Sequence, residues 1–307
     1  MCYAWPMKTL TLTIAPHQAG RTAQSLLTHE MQVSATLLRR LKGRPMGIAL
    51  NGVRVNSTVR VAQGDVLTAD VSDAVHERPG GKAIPLSILY EDEDILILNK
   101  PAGLPVHSST REPGRDTLED ALYAYLPPDV LPHPVSRLDR GTTGVITFAK
   151  SGYVHELMRR ALHTGAFHRE YLAIALGVFP QEQGLVDLPI GFEENSRYKR
   201  AVRQNGAPAQ TEYQVLGQKG GLAFLRLTPR TGRTHQIRVH MAAMGHPLLG
   251  DWLYGEENEA MGRPALHSAQ LWLTHPITGE SLRIAAPLPE DMARFWPEDA
   301  LFNQFRI

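Results

Sequence analysis

The chain has 307 residues, 43% apolar and 21% charged, with a net charge of +1 and one cysteine, Cys2. Such a length supports a large core and more than one domain. A lone cysteine excludes an internal disulfide framework and fits a reducing, cytoplasmic setting. No run of about 18 apolar residues is present to span a membrane, and no basic segment followed by an apolar core reads as a secretory signal.

The near-zero net charge conceals a division. Residues 8–72 carry eight Lys or Arg against three acids, a net of +5, and residues 197–240 carry nine against Glu212 alone, a net of +8. Basic stretches segregated in this way suggest a face for a polyanion, the alternative being a set of solvated surfaces.

In chain order, Thr9 to Ile14 alternates apolar and polar residues like a strand, and Ala23–Leu27 and Ala35–Leu41 read as two short helices. Ser34 is placed to cap the second helix, which runs into the basic cluster Arg39-Arg40-Leu41-Lys42-Gly43-Arg44. Asn51-Gly52 between short apolar runs marks a hairpin, and Gly64-Asp65 precedes a last strand, Val66–Val71. Residues 8–72 are therefore expected to form a small α+β module. Residues 73–85, with Pro79-Gly80-Gly81, read as a linker to a second domain over 86–295.

That second domain opens with the buried-strand pattern Ile95–Leu98. Thr117-Leu118-Glu119-Asp120 has the form of a capping box for a helix to Leu126, which Pro127-Pro128 must end. Ser151 opens a helix whose apolar face is Val154, Leu157, Met158, Ala161 and Leu162, with Gly165 as its stop. Further on, Tyr171–Leu176 reads as a strand, Thr211–Leu216 and Leu222–Thr228 as a hairpin across Gly217–Gly221, and Thr234–Met244 as a helix ended by Gly245. Runs of strands with few helices between them imply an α+β fold built on a largely antiparallel sheet.

Between these elements lies Pro134 to Ala149, with Arg137, Asp139 and Arg140 ahead of Gly-Thr-Thr-Gly and an apolar strand. A carboxylate between guanidiniums on a loop fixed by a strand fits a functional site, and equally a surface ion pair beside a turn. Gly144 to Ser151 nearly matches a phosphate-binding loop, but Ala149 replaces its second glycine and its middle is a β-branched and aromatic strand. His235 and His240 are five apart, on different sides of a helix, and no paired cysteines accompany them, so a metal centre is not expected. No nucleophile elbow is present, and Asp139 lacks the second carboxylate that glycoside hydrolysis requires.

Four ordered stretches together resemble the RluA-type pseudouridine synthases. Val135-Ser136-Arg137-Leu138-Asp139-Arg140-Gly141-Thr142-Thr143-Gly144 is similar to the family's catalytic motif, and Tyr90 to Gly103 to its first motif. Arg169-Glu170-Tyr171-Leu172-Ala173 is similar to its tyrosine-bearing strand, and Thr231 to His240, with Gly245 to Asp251, to its third motif. Leu266-His267-Ser268 and His275-Pro276 continue the likeness. Residues 8–72 resemble the small RNA-binding module of ribosomal proteins and RNA-modifying enzymes. Ser136, where the family usually has His, and Arg169, where Lys is common, are departures.

The resemblance implies an isomerase that detaches uracil at N1, turns it, and rejoins it to the sugar through C5, with no cofactor and no metal. It assigns Asp139 as the catalytic carboxylate, acting on sugar or base, and Arg238 as its partner, since a guanidinium stabilises such a charge by Coulomb attraction. Tyr171 would stack on the flipped uracil, and Arg137 would occupy the vacated space in the RNA. The implied partner is structured RNA, ribosomal in preference to transfer RNA, bound by a monomer. The competing expectation is a non-catalytic RNA-binding or ribosome assembly factor that keeps the scaffold.

Overall fold

The computed structural model describes residues 8–73, 80–108, 114–162 and 164–295. The Met1–Pro6 extension and residues 74–79 of the expected linker lie outside these residues. The first part is a four-stranded antiparallel sheet of order β1 (Thr9–Thr13), β4 (Val66–Asp70), β2 (Ile48–Leu50), β3 (Val53–Arg54), with helices α1 (Ala23–His29) and α2 (Ala35–Gly43). Ser34 caps α2 by accepting from the Leu37 amide at 3.2 Å. Asn51 and Gly52 both have positive φ, 51° and 78°, as a two-residue hairpin turn demands.

The second part begins with β5 (Ile88–Glu91), β6 (Ile95–Lys100), α3 (Leu118–Tyr125), β7 (His133–Pro134), β8 (Thr143–Ala149), α4 (Gly152–Ala161) and β9 (Phe167–Leu176). After these come β10 (Gln183–Asp187), β11 (Ile190–Phe192), β12 (Arg200–Val202), β13 (Gln210–Lys219) and β14 (Leu222–Pro229). The last elements are α5 (Gln236–Ala243), β15 (Leu266–Thr274), β16 (Ser281–Ala285) and α6 (Glu290–Ala293). Ten strands form one sheet of order β10-β13-β14-β9-β15-β8-β6-β5, with β16 on β15 and β7 on β8. Every pairing in it is antiparallel except β8 with β15, so the α+β, mainly antiparallel expectation holds.

Both faces of the sheet are covered, which explains the unbroken apolar run in β6. Ile95 and Ile97 join a core that continues into α1, α2 and α4, while Leu96 and Leu98 join the opposite core with α3, β9, β14 and α5. The first module therefore shares its core with the large sheet, and the Tyr153 hydroxyl on α4 donates to the Met31 carbonyl at 2.8 Å. No helix among the described residues is long and apolar enough to cross a membrane.

Several boundaries differ from the sequence expectation. Helix α5 starts at Gln236 rather than Thr234, because His235 has φ of 57°, which no helical residue adopts. The helix is buried on more than one side, since Arg238, Val239 and His240 are buried along with Ile237 and Met241. Strand β13 continues past Gly217 through a bulge, and the turn is Gly220-Gly221. The two-stranded ribbon of β11 and β12 had no clear pattern in the sequence.

One glycine fixes the joint between β8 and β15. Gly144 has φ of +103°, and a Cβ there would lie 2.1 Å from the Ser268 carbonyl oxygen. Gly144→Ala is therefore expected to destabilise the fold by about 2–4 kcal/mol, read as a lowered midpoint in thermal unfolding.

Candidate active site

The register of the sheet brings the distant motifs together. Ser268 on β15 pairs with Gly144 on one side and Tyr171 on the other, so the loop entering β8 and the tyrosine of β9 share one transverse row. With β15 between them, the two elements stand two strand spacings, about 10 Å, apart.

The loop that carries Asp139 is held from beneath. The Thr142 amide donates to the Asp139 carbonyl at 3.0 Å, so the tight turn spans Asp139 to Thr142, with Thr143 and Gly144 already in the strand. Lys100, fully buried at the end of β6, donates to the carbonyls of Pro101, Leu104 and Arg140 at 2.8, 2.9 and 3.1 Å. Burial pushes its ammonium down to about 7, against the pull of the Asp139 charge. On the far side of the turn, Arg263 donates to the Gly141 carbonyl at 3.0 Å while its Nε and Nη2 donate to Asp291 at 2.6 and 2.8 Å.

Arg238 reaches Asp139 from α5. Its Nε and Nη2 donate to the two oxygens of the wholly buried Asp251 at 2.7 Å each, and its Nη1 lies 3.4 Å from Asp139 Oδ2. Burial opposes the guanidinium charge, but the bonds and charge of Asp251, backed by Asp139, outweigh it and hold Arg238 above its ordinary value. The Asp251 carboxylate is itself fixed by the amides of Leu253 and Tyr254 at 3.2 and 3.3 Å.

Around this group opens a cleft of about 1450 Å³. Among the described residues, ten arginines line it, including Arg137, Arg140, Arg169, Arg197, Arg230 and Arg233, and Asp139 is the single acid in the lining. A carboxylate isolated in so positive a concavity suits a polyanion that is to be gripped and then worked on at one point. Tyr171 is buried by its strand yet borders the cleft, whereas Arg137 is exposed and makes no ion pair among the described residues. Ser136 and Arg169, the two departures, also border it.

The 197–240 segment divides more than its charge count implied. Arg197, Arg200, Arg230, Arg233 and Arg238 face the cleft, Arg230 while also pairing with Glu212, and Lys199, Arg203 and Arg226 pair with Glu193, Glu194 and Glu170. Sequence reasoning weighed neither Lys100, Asp251, Tyr254 nor Arg263 individually. Lys100 and Asp251 stand inside stretches of the family pattern, whereas Tyr254 and Arg263 carry no spacing signal. Replacing one partner of a buried ion pair strands the other, so Asp251→Asn should cost about 3–5 kcal/mol in denaturant unfolding and should loosen Arg238 from Asp139.

Comparison with known proteins finds relatives along most of the chain. The family model described as RNA pseudouridylate synthase matches residues 94–243, from β6 through α5. An uncharacterized RNA pseudouridine synthase of Bacillus subtilis, YjbO, is 37% identical over 268 residues, covering 86% of this chain and 95% of the relative. The ribosomal large subunit pseudouridine synthase D of Vibrio cholerae is 36% identical over 318 residues, covering 96% of this chain and 97% of its own. Among solved structures, human RNA pseudouridylate synthase domain containing 4 superposes with a TM-score of 0.55 at 28% identity, over 67% of this chain and 90% of that one. With its four motifs converging on one basic cleft and its relatives matched over nearly their whole length, the chain belongs to the RNA pseudouridine synthase family.

Proposed function

We propose that this enzyme isomerises uridine to pseudouridine in large-subunit ribosomal RNA, with Asp139 as the catalytic carboxylate. The observation that carries the reading is Asp139 itself: among the described residues the single acid in an arginine-lined cleft, held beside Arg238, with Tyr171 bordering the same cleft. The reaction breaks the bond from the sugar to N1 and forms one to C5, while C5 loses a proton and N1 gains one. Nothing is consumed, so the protein needs only to extrude, hold and turn the base.

Each step has a residue suited to it. Extruding a stacked base costs a few kcal/mol. Arg137, exposed at the rim beside Asp139, is placed to fill the gap left in the RNA. The Tyr171 ring offers a flat face to the uracil, and Arg238 holds Asp139 in place as the glycosidic bond changes. The name of the Vibrio cholerae relative supports the large ribosomal subunit as the source of the RNA. The enzyme would act as a cytoplasmic monomer.

Residues 8–72 extend the grip. Arg39 and Arg40 are exposed on α2 and form no ion pair among the described residues, whereas Arg21 and Arg44 are taken up by Glu30 and Asp70.

Asp139→Asn is expected to abolish pseudouridine formation in ribosomal RNA while leaving RNA affinity intact; substantial residual product would remove the carboxylate from its role. Reversing Arg39 and Arg40 to Glu should weaken binding of structured RNA by roughly tenfold at low salt and flatten its salt dependence, since fewer phosphates are neutralised. Binding and salt slope equal to those of the wild type in a filter-binding titration would assign α2 another purpose.

A further inference from the structure

His235 is held at a cost. It precedes α5 in the left-handed region, φ 57° and ψ 18°, and its side chain makes no capping bond to the helix. A non-glycine residue kept in that region by its surroundings is a strained position, of the kind that clusters at functional sites. Here the conformation aims the imidazole across the cleft wall. Its Nδ1 lies 2.8 Å from the Tyr254 hydroxyl, and its Nε2 lies 3.9 Å from Asp139 Oδ1, the oxygen that Arg238 does not reach.

The direction of the hydrogen bonds follows from the donors. The Arg200 amide donates to the Tyr254 oxygen at 3.0 Å, which leaves the hydroxyl proton for His235 Nδ1. Burial pushes that hydroxyl up to about 12, so it stays protonated. Burial also pushes His235 below its ordinary value, against the Asp139 charge. The proton of a neutral imidazole then sits on Nε2. The opposite tautomer would turn a lone pair toward a carboxylate and leave the tyrosine proton without an acceptor.

We propose that His235 is a positioning residue for Asp139, donating from Nε2 to Oδ1, with its tautomer and orientation set by Tyr254 and, through the Arg200 amide, by the β11–β12 ribbon. The proposal rests on the pseudouridine synthase reading. The gap of 3.9 Å is longer than a hydrogen bond, and on this proposal it shortens as the reaction proceeds, as catalytic contacts do. The ribbon is more than a prop. Arg197 and Arg200 on this segment line the cleft, and Arg200 lies 3.5 Å over the Phe192 ring of the neighbouring strand. RNA phosphates that pull on the ribbon therefore pull, through Tyr254 and His235, on the free side of the carboxylate. Asp139 would be fixed from one side by the protein interior and from the other by a segment that touches substrate.

The test uses the full chain, with Tyr254→Phe and His235→Gly as variants; glycine suits the left-handed backbone and leaves a space of imidazole size. Nitrogen-15 spectra of histidine-labelled protein should show His235 as the Nε2–H tautomer in the wild type and as a mixture in Tyr254→Phe. Single-turnover pseudouridine formation on unmodified ribosomal RNA should fall roughly tenfold in Tyr254→Phe, the worth of the bond from His235 Nε2 to the Asp139 carboxylate. His235→Gly should lose more, and added imidazole should restore part of it. An Nδ1–H tautomer in the wild type, or unaltered single-turnover rates in both variants, would overturn the proposal. A wild-type protein that makes no pseudouridine in ribosomal RNA would instead overturn the function on which the proposal rests, while the tautomer would still report on the geometry.

Discussion

The site depends on a guanidinium that has been taken out of water. Arg238 is almost wholly buried, and an unpaired charge at such a depth would cost several kcal/mol. Asp251 is the answer to that cost, with two short bonds from an equally buried carboxylate. The third nitrogen is what remains for Asp139, at the longer distance of 3.4 Å. One arginine thus has a structural side and a working side. Because the structural side carries the stronger bonds, Asp139 is held by charge without being locked by geometry, and its other oxygen is left facing His235.

The sheet explains why such a pair arises at this place. Its strands are covered on both faces, so polar groups are pushed to the strand ends and to the loops that leave them. Lys100, Asp139 and Arg263 all sit where β6, β8 and β15 end near one another. Two buried cations hold the backbone carbonyls of the intervening turns, which substitutes for the ladder bonds that end there. The carboxylate is presented on irregular backbone, yet that backbone is bonded at Asp139, Arg140, Gly141 and Thr142. Around it the arginines stand at the rim, where water and phosphate can reach them.

Much of this was legible in the sequence, and the reasons for success and failure are physical. The capping boxes and turns are local, so Ser34, Thr117, Ser151 and Asn51-Gly52 identified their elements correctly. Ile95–Leu98 announced a strand covered on both sides because every residue in it is apolar. Helix α5 was less legible for the converse reason: its polar residues are buried by partners from elsewhere, as with His240 between Thr211 and the Leu188 carbonyl. Asp139, Tyr171, Arg238 and Arg137 were found through the family pattern, and the structure gathers all four around one cleft. Tyr254 and Arg263 were invisible because their importance is a matter of contact rather than of spacing. Charge counts overstated the basic face, since a count cannot tell an arginine at a phosphate from one already paired with a glutamate.

The contacts that complete the site are remote along the chain. Arg238 stands 99 positions after Asp139, and the Thr143 hydroxyl meets His267 across 124. During synthesis the carboxylate loop would emerge long before α5, Asp251 or β15 exists to receive it. Closing loops of that length is slow compared with forming the local helices and hairpins. The nascent chain would therefore pass through a stage with basic surface but no assembled chemistry, and reactivity would switch on only when the last third of the protein had folded against the first.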